Sequence, residues 1–502
     1  MIYSISNKRG KKIMLHINKK NLLISYIIIV VYFLMLAKSI EQILSIVLIA
    51  LIIGILNFFI VKEEKMQIHQ KFFLVALVFG ILFIFFVPIL HGIDEGAHFF
   101  KVYSFFYDSK SHYNKEKKLV DEVPEVIIKA DDIVNINEMS SILELTTDDT
   151  NTVETQEYIG AKLYSPISYI TYLLPMFLFK KILNLNIFWI IILGRVFGFL
   201  AWLVITTYTI KIMPRKKEFM AFLCLLPIVL SVVTTFSGDV VNNMAIFLFI
   251  AIWYKLYIEK NKIKKREILL ITVLGVIATC CKMVYALMFL LIFLLPEENF
   301  KNKKNKIIVT TGIMIVLILT FLVNINFVGN DLLKAYPAIS KQKEFIKNNF
   351  FQYIGIFIRT IISYFFVYIY QFTTGKSTMC SNAIEVDNVI SLACLIILLL
   401  ALFREENKIK INKKEKVFII GIAIIMISII FLSLYLQWTA TKYKIAYKYI
   451  EGVQGRYFIP IAALLIFINK KIKFDIDKDL LWTGVILINF IIVLKIMIMF
   501  FI

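Results

Sequence analysis

The run FFLVALVFGILFIFFVPIL (residues 72–90) carries no charge and gives way at once to HGIDEGAH, residues 91–98. At 1.5 Å per residue such a run makes a helix of about 28 Å, enough to cross the hydrocarbon core of a bilayer. Near-continuous apolar runs recur at 22–37, 43–61, 187–210, 219–236, 240–257, 307–328, 388–403, 417–436, 456–469 and 481–501. The stretch 267–296 carries Lys282 near its middle and reads as two short passes meeting at that lysine. The expected fold class is an all-α integral membrane protein, a single polytopic domain over residues 1–502 with about 13 transmembrane helices.

Composition agrees. Hydrophobic residues make up 60% of the 502 and charged residues only 18%, against about 45–50% and about 25% in soluble domains. No Ala-x-Ala-like cleavage site follows the first run, so 22–37 reads as a retained helix. The five cysteines include no Cys-x-x-Cys pair, which excludes a zinc ribbon or a disulfide framework. No P-loop, Rossmann fingerprint or Gly-x-Ser-x-Gly elbow is present, which argues against an ATP-driven pump.

The net charge of +21 takes its meaning from where the lysines lie. They cluster at 8–20, 62–71, 211–217, 255–266, 301–306, 404–416 and 470–478. Assigning these clusters to the cytoplasm puts the N-terminus inside and residues 91–165 outside. That loop has fifteen acids against seven lysines, a local balance of −8. The basic charge is then a collar facing membrane lipids, worth about 1 kcal/mol per lysine beside anionic headgroups, and nucleic acid drops out as a partner. Two segments upset the parity. Residues 166–180 read as an interfacial or re-entrant helix on the outer face, and 353–372 are also apolar enough to enter the membrane.

Chemistry concentrates where the acidic loop leaves the membrane. If 91–98 is helical, His91, Asp94, Glu95 and His98 share one face. Two carboxylates and two imidazoles there suit a general base with an orienting partner. They equally suit a divalent metal held by His91, Asp94 and His98, or a solvated turn that caps the helix. Late in the chain, Gln454-Gly455-Arg456-Tyr457-Phe458 takes an external turn into an apolar run. An arginine there suits a phosphate, or a headgroup to which it snorkels. Lys282 carries the same two readings. Arg195 and Arg359 lie within apolar runs, where an ionisable group is a functional candidate or the partner of a buried acid or carbonyl. The turn at 236–243 brings Asp239, Asn242 and Asn243, groups able to hydrogen-bond a sugar.

These elements, taken in order, resemble a bacterial family of polytopic membrane proteins. They are the external Asp94-Glu95-x-x-His98, the Tyr-Ser-Pro-x-Ser-Tyr run at 164–169, Leu193-Gly194-Arg195, the Ser-x-Asp turn at 237–239 and Gln454 to Phe458. The likeness spans roughly residues 70–470. Where that family has proline before the aspartate and after the glutamate, this chain has Ile93 and Gly96. The family is similar to the GT-C superfamily of glycosyltransferases. That resemblance implies inverting transfer of a sugar from a polyprenyl-phosphate carrier to a glycan or lipid-linked acceptor outside the cytoplasm.

On that resemblance Asp94 is the general base, Glu95 its partner or an alternative base, and His98 an orienting group. Arg456 and Lys282 bind the donor phosphate, and Gln454, Tyr457, Asp239 and Arg195 complete the substrate site. No cofactor is required beyond the divalent metal kept as an alternative. The rival readings are a flippase of lipid-linked saccharides and a polysaccharide polymerase or ligase. The lysine- and isoleucine-rich composition points to an A/T-rich bacterial genome and a wall or capsular acceptor.

Overall fold

The computed structural model describes residues 3–5, 12–15, 19–107, 111–113, 119–133, 139–144, 151–155, 164–335, 338–380, 385–404, 411–468 and 474–500. The remainder of the loop at 91–165 lies outside the described residues. The chain is built of helices. Among the described residues, eight are long and apolar enough to cross a membrane: Ile40–Lys62, Ile68–Phe86, Ile187–Ile212, Asp239–Glu259, Lys303–Ile325, Phe350–Thr374, Lys413–Lys442 and Lys478–Phe500. Shorter apolar helices accompany them at Asn21–Leu36, Met283–Leu294, Asn388–Arg404 and Gly455–Phe467. The first four helices are α1 (Lys19–Leu36), α2 (Ile40–Lys62), α3 (Ile68–Phe86) and α4 (Glu95–Tyr103).

The helices differ in what surrounds them. Asp239–Glu259 is apolar on every side and is the most enclosed, with 83% of its central window buried; a helix hydrophobic all round belongs inside a bundle. It packs between Ile187–Ile212 and Lys265–Cys281. Lys303–Ile325 and Phe350–Thr374 turn most of their surface outward, with large exposed side chains such as Val323, Phe351 and Ile362. That exposure is stable only against lipid or another apolar surface.

Four apolar segments take conformations that hydropathy alone does not fix. The apolar run at 219–236 is not one helix but two, Lys217–Cys224 and Pro227–Val233. Pro227 has no N–H to continue the first helix and a fixed φ suited to starting the second. The run at 267–296 is indeed divided at Lys282: helix Lys265–Cys281 ends there and a 3₁₀ segment, Met283–Leu294, returns. The amide of Ile263 donates to the carbonyl of Asn299 at 2.8 Å, so the two arms form a hairpin with Lys282 at its tip. Residues 353–372 lie within the helix Phe350–Thr374, which ends at Gly375 with φ of 70°. Residues 166–182 form short helical pieces that pack on Ile187–Ile212.

Strands are few. Tyr3–Ile5 pairs antiparallel with Lys12–Leu15, which pairs parallel with Phe474–Ile476. In the acidic loop, Leu119–Pro124 lies between Ser111–Tyr113 and Thr152–Thr155, antiparallel to both.

Candidate functional site

α3 ends at Phe86, and the chain turns through residues 87–94 before α4 begins at Glu95. Leu90 and Asp94 in this turn hold positive φ values of 63° and 56°. Aspartate tolerates that region better than most side chains, and such conformations persist only when the surroundings impose them. Here the imposing group is Arg195. Its Nε and Nη2 donate to the two carboxylate oxygens of Glu95 at 2.7 and 2.5 Å. Nη1 donates to the carbonyls of Ile84 (3.0 Å) and Val87 (2.8 Å), and Nη2 to that of Pro88 (2.7 Å).

A guanidinium has five N–H groups, and these contacts use them all. Glu95 in turn accepts from the amide of Gly92 at 2.9 Å and of Phe236 at 3.1 Å. Both side chains are fully buried. The pair therefore ties the end of α3, the turn, the start of α4 and the 236–239 turn into one rigid unit. Gly194 permits it: a Cβ there would meet the Phe236 ring at 2.3 Å.

That unit presents two acids to two cations. Arg456 pairs through Nη2 with the Asp94 carboxylate, and its Nη1 lies 3.7 Å from that of Asp239. Lys282 pairs with the other Asp239 oxygen. Its Nζ sits 4.5 Å from the centre of the Tyr457 ring, over which the Arg456 guanidinium lies at 5.3 Å. Asp94 is half exposed while Arg456, Asp239 and Lys282 are largely enclosed. The site is thus open at Asp94 and closes inward. Charges balance at two and two.

Several buried polar atoms here lack a hydrogen-bond partner among the described residues. They are Nε and Nη1 of Arg456, Oε1 of Gln454, and both amide atoms of Asn242, one helical turn below Asp239. Orphaned groups of this kind are costly. The turn carrying Arg456 is fixed by Gly455, whose amide donates to Gln371 Oε1 at 3.1 Å. Tyr285 secures the next residue by donating to the carbonyl of Tyr457 at 2.7 Å.

His98 is buried beside the cluster. Its Nδ1 is 2.6 Å from the Tyr169 hydroxyl and its ring packs edge-on to Tyr164 at 5.2 Å. Burial pushes its pKa down to about 4, with Asp94 opposing and Arg456 reinforcing the shift. The imidazole is neutral at physiological pH. Tyr164, Tyr169 and Tyr285 were not among the site residues expected. The first two belong to the Tyr-Ser-Pro-x-Ser-Tyr run and the third follows Lys282 by one 3₁₀ turn, so both positions were visible without any sign of their direction.

Three expectations require correction. α4 starts only at Glu95, so residues 91–98 do not form one helical face, and Asp94 and Glu95 point to different partners. Glu95, engaged by Arg195 and two amides, has no free face from which to act as a base. Arg195 has no donor left for a substrate, and its role is to brace the site. Of the residues named for the divalent-metal alternative, His91 Nδ1 lies 2.8 Å from the Ile89 carbonyl, His98 Nδ1 lies 2.6 Å from the Tyr169 hydroxyl, and Asp94 pairs with Arg456. Among the described residues no group of three or more His, Cys, Asp or Glu converges as a metal site. Asp94, His98, Arg456, Tyr457, Gln454, Lys282 and Asp239 do gather at one end of the bundle.

No curated protein and no solved structure matches this chain. One family profile does, over residues 77–465, a range that contains every residue of the cluster. The chain belongs to that family, described as a predicted membrane protein family (DUF2142).

Proposed function

We propose that this protein is a GT-C-like membrane glycosyltransferase that takes a sugar from a polyprenyl-phosphate donor and transfers it, with inversion, to a cell-surface glycan or lipid-linked acceptor. The observation that carries the reading is the pairing of half-exposed Asp94 with enclosed Arg456, beside Lys282, at the end of a bundle of apolar helices. A donor phosphate offers Arg456 a bidentate partner that competes with Asp94. Its arrival draws the guanidinium inward and releases the carboxylate. Asp94 then accepts the proton of the acceptor hydroxyl, the acceptor oxygen bonds to the anomeric carbon, and the bond from that carbon to the phosphate oxygen breaks. The leaving phosphate stays on its lipid carrier, its charge held by Arg456 and Lys282.

The lysine-rich ends of the helices orient the site away from the cytoplasm by the positive-inside rule, with the N-terminus cytoplasmic in a bacterial cell membrane. Chemical analysis of surface glycans in cells producing Asp94→Asn at wild-type levels tests the reading. Loss of one sugar substituent is the expected result, and unchanged glycan would contradict it. Transport of a lipid-linked saccharide across liposomes without a new glycosidic bond would favour a flippase instead.

A further inference from the structure

The end of α3 opposite Asp94 carries a second feature, separated from the first by the helix length of about 28 Å. There the α2–α3 turn, the start of α3 and Thr207 of Ile187–Ile212 border an open, shallow cavity of about 490 Å³. Glu63, Lys65, Met66, His69, Gln70, Phe73, Leu74 and Thr207 line it. Its walls divide by chemistry. Phe73 and Leu74, further along α3, form the side toward the bundle's apolar span, and Lys65 and His69 the side toward the basic end. Lys211 and Lys217 lie close enough to act electrostatically on the His69 ring. Within the lining Lys65 and Glu63 balance, and Lys211 and Lys217 beside it tip that end of the cavity toward positive charge.

Two buried atoms in the lining, His69 Nδ1 and Thr207 Oγ1, have no hydrogen-bond partner among the described residues. Groups left open in this way match an oxygen-rich anion. A site that is cationic at one end and apolar at the other, at the boundary of the apolar span, matches one molecule with both characters. We infer that this cavity binds a phosphate-bearing anionic membrane lipid, its headgroup at Lys65, His69 and Thr207 and an acyl chain along Phe73 and Leu74. The inference is independent of the reading of the Asp94 site. A bound lipid would fix the α2–α3 turn against Ile187–Ile212, the helix whose Arg195 holds the far end of α3 through the Ile84 carbonyl.

The experiment is native mass spectrometry of the full chain released from nanodiscs of phosphatidylcholine containing one tenth phosphatidylglycerol. Retention of phosphatidylglycerol over phosphatidylcholine is expected. Lys65→Glu combined with Lys211→Glu should lower that retention by about tenfold or more, since each lysine at a membrane surface favours anionic lipid severalfold. Thr207→Val, which leaves charge unchanged, should lower it by a smaller factor and decides the matter if the double variant does not fold. Equal retention of both lipids, or wild-type retention by the variants, would overturn the inference. Displacement of phosphatidylglycerol by millimolar inorganic phosphate would show a soluble-anion site and overturn the lipid assignment.

Discussion

Arg456 and Asp94 form an ion pair across 362 residues of sequence. One stands at the close of the family-matched segment and the other near its start, and neither has meaning as a site without the other. Asp239, reached by Arg456 and held by Lys282, completes a charge-balanced cluster in which only Asp94 is well exposed. Two nitrogens of Arg456, Nε and Nη1, carry no hydrogen bond among the described residues.

The Arg195–Glu95 pair should govern stability rather than chemistry. Breaking a fully buried pair by removing one partner strands the other charge, at a cost of about 3–5 kcal/mol. Glu95→Ala should therefore lower the thermal transition of the detergent-solubilised protein sharply, whereas Asp94→Asn should leave it nearly unchanged. Equal transitions for the two variants would remove the distinction drawn between these neighbours.

Arg456→Lys keeps the charge but loses the planar fork that reaches Asp94 and Asp239 together. Donor use should fall by roughly 100- to 1,000-fold, the range for losing one well-placed contact to a developing anion. Initial rates against donor concentration in isolated membranes provide the check.

His98 sets a pH dependence of stability. Its folded pKa of about 4 lies below its ordinary 6.5, chiefly through burial. Between those values the unfolded chain binds a proton that the folded chain does not. The contribution is present above pH 6.5 and lost as pH falls through 4. It amounts to on the order of 3 kcal/mol. Denaturation midpoints measured from pH 7 to pH 4 should fall less steeply in His98→Gln than in wild type.

Gly455→Ala tests the placement of Arg456. A Cβ at Gly455 would lie 2.2 Å from the backbone nitrogen of Phe372, and backbone yields little. The turn at 455–458 must shift, so transfer should fall at least about tenfold even where protein persists in the membrane, a misplacement effect. Western blotting beside the transfer assay separates the two losses.

Much of this architecture was legible in the residues because a membrane helix is a composition as much as a pattern. The hairpin at Lys282 followed from one lysine in the middle of a mostly apolar stretch, 267–296. The break at Pro227 was missed because both halves are equally apolar, and only the absent proline N–H separates them. At the site, the identities of Asp94, Lys282, Asp239 and Arg456 were evident, but the different directions of Asp94 and Glu95 were not. Assuming a helix from His91 placed both on one face. The helix begins one residue after Asp94, and the Arg195 that claims Glu95 lies 100 residues away, beyond the reach of local spacing.

The most direct test of the account is transfer by the purified protein in liposomes, given a polyprenyl-phosphate donor carrying a radiolabelled sugar and a surface-glycan acceptor. The account predicts labelled acceptor from the wild type and a rate lower by about a hundredfold or more for Asp94→Asn, within the range attributed to general-base catalysis. Labelling by Asp94→Asn at the wild-type rate would contradict it.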